Sequence, residues 1–370
     1  VSLARETLPA PGMRSIPGPV GRSGSSRKSK PCTHVVAGFI PIIGAIYCLN
    51  LFTALSPTLS ARPLPVSPAK ETETTRLPSA ASLRHFEALE QLPKGIAKAI
   101  RSDLAAGDYS TAAEHLARFL EEAPQPSYEL LSFLGSLFFL EERYLNAAVA
   151  FKRADAVHPL EPSDRFTLAM AYVLLGRNDW ARPELERLSS DDPGNPLYSY
   201  WLARLDFDER RYLDALQRLE ALVERVPSFV RAVDRLALCY QFLGRYPEAE
   251  RWFRRAIEQS SQQEAPWEGP YINLATMLLE QERSSEAVAL LQEAVRIAPS
   301  SSEAHYRLGL AFEKEHQWKE AVAEMRKVVQ LDPNHVQAWW ALVRILRRAG
   351  DEPGAREALR GFQQAQKNSQ

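Results

Sequence analysis

The sequence predicts an all-α protein: a right-handed α-solenoid of about eight helical hairpins. Three observations predict it. Small and large residues recur at fixed steps with a period of 34 residues. Prolines close successive periods at the same interval, at Pro159, Pro193 and Pro227 and again at Pro299 and Pro333. From Leu83 onward the apolar residues keep helical periodicity almost to the end. A period of this length marks a stack of supersecondary units that grows as one continuous body.

The N-terminal part has a different character. Residues 1–34 contain Pro9, Pro11, Pro17, Pro19 and Pro31 among many Gly and Ser, and they hold no apolar period. They are predicted to be a disordered basic segment. Residues 35–55 read VVAGFIPIIGAIYCLNLFTAL, 21 residues without a charge. At about 1.5 Å per residue they just cross a hydrocarbon core of about 30 Å. Arg22, Arg27, Lys28 and Lys30 stand before this run, and only Arg62 and Lys70 lie at a similar distance after it. The run is therefore read as a single transmembrane helix that leaves the repeats on the extracytoplasmic (periplasmic) side. A cleaved secretory signal with Ala54-Leu55-Ser56 at its end is the competing reading, and a buried helix is the third. Residues 56–82, with Pro57, Pro63, Pro65, Pro68 and Pro78, read as an extended linker. The solenoid is assigned to residues 83–367.

The repeat is defined from Gly135 by steps of 12, 16, 19 and 24, which reach Ala147, Phe151, Ala154 and Pro159. The same steps run from Ala169 to Ala181, Leu185, Leu188 and Pro193, and from Ala203 to Ala215, Leu219, Leu222 and Pro227. Ala237 leads to Ala249, Phe253 and Ala256, with Ser261 in place of the proline. After a four-residue insertion, Ala275 leads to Ala287, Leu291, Ala294 and Pro299. Gly309 then leads to Ala321, Met325, Val328 and Pro333, and Val343 to Ala355, Leu359 and Phe362. Upstream, Ile100, Ala112, Leu116, Phe119 and Pro124 form a degenerate first unit.

Each position has a physical reading. The Gly or Ala of the first helix lets the second helix approach at the alanine twelve residues later. The large residue at step 16 fills the space beneath that crossing. The proline cannot continue a helix and closes the hairpin. Asn195, Ser228 and Asn334 are expected N-caps of the next first helix. Gly176, Gly244 and Gly350 mark turns between the helices. The segment Ser260–Pro270, with Trp267 and Gly269, carries the insertion and reads as a binding loop or a tolerated surface insertion.

This order of small, small, large, small and Pro over 34 residues resembles the tetratricopeptide repeat family across roughly residues 95–367. The tryptophan usual early in the family's first helix is replaced, at Leu131, Phe166, Tyr200 and Val233, and returns only at Trp339. Pentatricopeptide repeats, which read single-stranded RNA, have a longer period, and the acidic repeat region argues against them. Residues 1–76 carry nine Lys/Arg against three Asp/Glu, while the whole chain has a net charge of −1, so the repeats are acidic and no nucleic-acid partner is expected.

No GxxxxGK[ST], helix-opening GxGxxG, HExxH or GxSxG occurs, and the seven histidines and three cysteines are scattered. The chain is read as a non-enzyme without metal, cofactor or small-molecule substrate. The resemblance implies that first helices line a concave groove taking a peptide or helix of another protein. The candidate groove residues are Phe133 and Phe139, then Phe166 and Met170, then Trp201, Arg204 and Phe207. Arg231, Arg235 and Phe242 follow, then Asn273 and Thr276, Tyr306 and Arg307, and last Trp340, Arg344, Arg347 and Arg348. The groove is expected to be apolar in its early units and arginine-rich from Arg204 onward, which suits an acidic partner. Two further roles stay open: an accessory domain positioning envelope glycan enzymes, and a soluble cytoplasmic adaptor.

Overall fold

Sixteen helices pair into eight antiparallel hairpins in the computed structural model, which describes residues 87–368. A 3-10 turn at Leu89–Gln91 comes first. The hairpins are α1 (Lys94–Ala105) with α2 (Tyr109–Glu122), α3 (Tyr128–Leu140) with α4 (Tyr144–Val157), and α5 (Pro162–Leu174) with α6 (Asn178–Asp191). Next are α7 (Pro196–Asp208) with α8 (Tyr212–Arg225), and α9 (Val230–Phe242) with α10 (Tyr246–Ser261). The last are α11 (Gly269–Glu280) with α12 (Ser284–Ile297), α13 (Ser302–Lys314) with α14 (Trp318–Leu331), and α15 (Val336–Arg348) with α16 (Glu352–Asn368). No strand occurs among the described residues. The expected disordered segment, transmembrane helix and linker all fall outside the described residues. No helix among those described is long and apolar enough to cross a membrane.

The alanine at step 12 is the pivot of every hairpin. Ala112, Ala147, Ala181, Ala215, Ala249, Ala287 and Ala321 have no exposed surface. A β-carbon on Gly135 would lie 2.9 Å from the Phe151 ring, and one on Gly309 would lie 2.8 Å from Met325 Cε. Glycine there admits the large side chain of the second helix directly beneath the first. Phe151, Leu185, Leu219, Phe253, Leu291 and Met325 are fully buried in that role.

Prolines set the second-helix ends. α4, α6, α8, α12 and α14 each stop two residues before the proline of their unit. Where the proline is replaced by Ser261, α10 runs on to 16 residues instead of 14. The insertion that follows is tied down, since Ser260 Oγ accepts from the Trp267 N–H at 2.7 Å and donates to the Trp267 carbonyl at 2.9 Å.

The N-caps depart from expectation at two of three sites. Asn195 Oδ1 accepts from Leu197 N–H at 3.1 Å, as expected. The cap of α9 is Phe229 and not Ser228, and that of α15 is His335, whose Nδ1 accepts from Ala338 N–H at 3.2 Å, and not Asn334. Between the helices one residue is always left-handed. It is Gly107, Gly176, Gly244 or Gly350 in four hairpins, and Glu142, Arg210, Glu282 or His316, at φ of 57° to 62°, in the other four. This residue lets the next amide reach back to close the first helix, as Arg177 N–H does to the Tyr172 carbonyl at 2.8 Å.

The tryptophan position requires a correction. Stepping 34 residues from Leu131 gives Arg165 and Ser199, so Phe166 and Tyr200 lie one residue further on. Arg165 is buried and bridges Asp155 at 3.1 Å and Glu184 at 2.5 Å. In the seventh hairpin the same position holds His305, buried between Glu324 at 2.6 Å and the Pro299 carbonyl at 3.0 Å.

Candidate partner-binding groove

First helices touch the first helices of the next hairpin: α3 meets α5, α7 meets α9, and α9, α11, α13 and α15 meet in series. Their layer is the more closely spaced one, which makes it the inner face of the stack. Hairpin positions 5, 9, 12 and 13, counted from Tyr128 as position 1, fall on that face.

The expected apolar stretch is largely closed. Phe133, Phe139, Phe166, Met170 and Trp201 are all buried, with at most 8% of their surface exposed. Phe133 and Trp201 stand at position 6, beside the inner line. Phe166 does stand on it, but Tyr198 of the following hairpin covers its ring at a centroid distance of 5.8 Å. Phe139 packs edge-on against Tyr144 at 5.5 Å. These five side chains are core. The aromatic surface that remains on the inner face is Phe207, partly buried, Phe242, 55% exposed, and Trp340, 48% exposed. Phe207 meets Phe242 edge-on at 5.1 Å, and Phe242 stacks on Tyr212 at 5.1 Å.

The arginines of the middle hairpins have local partners. Arg204 lies 3.8 Å from Asp208 and its guanidinium sits 4.7 Å from the Trp201 ring centre. Arg235 sits over Phe207 at 5.1 Å and Arg231 over Trp267 at 5.6 Å. Asn273 Nδ2 donates to both oxygens of Asp234, at 3.0 and 2.9 Å. Burial pushes the Asp234 carboxyl up to about 6, against the opposing pull of the Asn273 bond and the Arg235 charge. Burial likewise raises the Asp208 carboxyl, against Arg204 and Arg235. The Nε atoms of Arg204 and Arg235 and the Trp201 Nε1 are buried without a hydrogen-bond partner. Thr276 donates to the Ile272 carbonyl of its own helix at 2.8 Å.

The C-terminal hairpins differ. Arg344 grips Glu313 with two bonds of 2.8 and 2.6 Å, and Arg348 adds a third of 2.8 Å to the same carboxylate. Arg307 pairs with Glu303 at 2.6 Å. Beside them an open cavity of about 530 Å³ is lined by Tyr306, Val336, Gln337, Trp340, Ala341, Arg344 and Phe362. Sequence reasoning missed Phe362 as a lining residue, because it belongs to a second helix, and it missed Asp208, Asp234 and Glu313, the carboxylates that the arginines face.

Among the described residues no group of His, Cys, Asp or Glu is arranged to hold a metal. Cys239 is buried, and burial pushes its thiol up to about 12, which keeps it protonated.

Comparison with known proteins agrees with this architecture. Two family models described as tetratricopeptide repeat match, one over residues 229–300 and the other over 98–162, 272–335 and 306–369. The Protein CTR9 homolog of Arabidopsis thaliana is 23% identical over 286 residues, which is 66% of this chain and only 26% of that protein. A tetratricopeptide repeat protein from Parabacteroides merdae superposes with a TM-score of 0.58 at 18% identity, covering 71% of this chain and 99% of that one. The Cut9-Hcn1 hetero-tetramer structure gives 0.51 at 15% identity, covering 72% of this chain and 54% of the matched one. Repeats of this family form protein-interaction scaffolds and are generally non-catalytic. With its 34-residue register, buried alanine pivots and eight stacked hairpins, this chain belongs to the tetratricopeptide repeat family.

Proposed function

We propose that this protein is a non-catalytic scaffold that holds a peptide or helix of another protein along its inner, first-helix face. The observation that carries the reading is the exposed aromatic surface there. Phe242 and Trp340 are each about half exposed although they stand on the inner face, so each offers apolar area that its contacts with neighbouring rings leave uncovered. Partner capture by complementarity fits such a face, and no reaction is required of it.

The test is site-specific photo-crosslinking in cells. A photoreactive residue replaces Phe242 or Trp340 on the inner face, or Val149 or Leu213 on the second helices. All four positions are about half exposed or more. Defined adducts from the first two sites alone support the groove. Adducts from the second-helix sites alone end the reading.

In the same reading residues 35–55 tether the scaffold to a membrane with the repeats on the extracytoplasmic side. The support is the uncharged run and the arginines and lysines that precede it. Protease digestion of intact and permeabilised cells checks this: repeats found in the soluble cytosolic fraction contradict it.

A further inference from the structure

We propose that the C-terminal end of the groove is a docking site for a partner segment that carries a bulky apolar side chain beside Asp or Glu residues. The proposal rests on the scaffold reading above and names the chemistry of its partner.

Charge on the first helices of the last five hairpins is not spread evenly. α7 and α9 hold Arg204, Arg231 and Arg235 against Asp206, Asp208 and Asp234, so they are neutral together. α11 has only Glu280. α13 and α15 hold Arg307, Lys314, Arg344, Arg347 and Arg348 against Glu303 and Glu313, a surplus of three positive charges. The ion pairs show where that surplus resides. Arg344 and Arg348 share the single carboxylate of Glu313, which is 8% exposed. Lys314 Nζ donates to the neutral Leu279 carbonyl at 2.5 Å. Arg347 is exposed and has no ion pair among the described residues. Arginines that share one carboxylate keep spare N–H groups and net charge for a second anion.

The cavity beside them supplies the apolar half. Trp340 forms its open wall at 48% exposure, with Phe362 tilted against it at 5.5 Å and Tyr306 opposite. Tyr306 is braced from behind by His335, 5.1 Å away. Aromatic walls with one arginine at the rim take a single large apolar side chain and orient what flanks it. The surplus charge makes carboxylates the complementary flank.

The experiment uses purified protein and a short fluorescein-labelled peptide with a central Leu-Phe pair between Asp and Glu residues. Three control peptides replace the acids by Lys, replace the apolar pair by Ser, or replace the acids by Asn. Fluorescence anisotropy should show binding of the first peptide only, weakening as salt is raised. Trp340→Ala should weaken it roughly tenfold or more, and Arg347→Glu at least about threefold. Arg347 is exposed and unpaired, so that variant keeps its fold whatever Trp340→Ala does, and thermal melts check both. Arg344 and Arg348 are left in place because removing them strands Glu313. No binding of the Leu-Phe acidic peptide overturns the proposal. Equal binding of the Ser or Lys control overturns it, and so does unchanged affinity in Arg347→Glu. Self-association of the protein that Trp340→Ala abolishes assigns the cavity to a second copy and overturns it as well. Adducts at Phe242 that persist while the peptide fails leave the scaffold reading intact and reject this site alone.

Discussion

Four of the eight hairpins turn on a residue that lacks the freedom of glycine. Glu142, Arg210, Glu282 and His316 hold φ between 57° and 62°, where Gly107, Gly176, Gly244 and Gly350 stand in the other four. A side chain in the left-handed region costs about 1–2 kcal/mol, because its Cβ crowds the following carbonyl. Glycine removes that cost and returns about 0.4–1 kcal/mol through a freer unfolded chain. The net gain of Glu282→Gly is then roughly 0.5–1 kcal/mol. Glu142→Gly should give the same. Both side chains are exposed and form no bond that the substitution would sacrifice. Arg210→Gly belongs with them, whereas His316 also packs against Trp318 at 5.2 Å and should gain less. The three sites are in separate hairpins, so their effects should add to roughly 1.5–3 kcal/mol. For a body of this size that raises the melting temperature by roughly 3–6 °C. Differential scanning calorimetry of single and triple variants measures it, with Gly244→Ala as the reverse probe, expected to destabilise by roughly 0.5–1 kcal/mol. A lower melting temperature in Glu282→Gly, or a higher one in Gly244→Ala, refutes the conformational argument.

Two further outcomes follow from buried charge. Arg165→Ala removes the buried cation between Asp155 and Glu184 and leaves them only the half-exposed Lys152, at 3.1 and 3.7 Å, and should destabilise by roughly 1.5–3 kcal/mol in urea titration, more than removal of an exposed arginine such as Arg187. Asp234 has a folded pKa of about 6, raised above its ordinary 3.8, so the native state binds its proton more tightly than the unfolded chain does. Its ionisation therefore weakens the fold above pH 6, and stability is regained as pH falls from 6 toward 4, by up to about 3 kcal/mol. Urea midpoints of wild type and Asp234→Asn at pH 7.5 and pH 5 should differ, with the gain at pH 5 present in wild type and absent in the variant.

The hairpin register was legible because alanine at one position and proline at another each answer a local demand. Seven pivot alanines predicted from spacing are buried without remainder. The groove was less legible. Spacing gives the face of a helix on which Phe166 and Met170 stand, but not how closely the next hairpin approaches. That approach depends on small rotations between units, and here it brings Tyr198 over Phe166. The one-residue offset at Phe166 and Tyr200 hid Arg165, a charged side chain where an aromatic one was expected. Strict counting, from Leu131 forward to Arg165 and from Trp339 back to His305, would have exposed both buried groups. Acidic partners of the groove arginines were invisible because Asp208, Asp234 and Glu313 gain meaning only when adjacent first helices are brought side by side. Left-handed residues without glycine were hidden in the same way, although their constant place after the first helix marks them once the register is known.

The central claim is that the first-helix layer holds the partner. Hydrogen–deuterium exchange on the protein, alone and with its crosslink-identified partner, tests it most directly. The account predicts slowed exchange in α9, α13 and α15 and in the inner residues of α7, with α8, α10 and α14 unchanged. Protection confined to the second helices contradicts it.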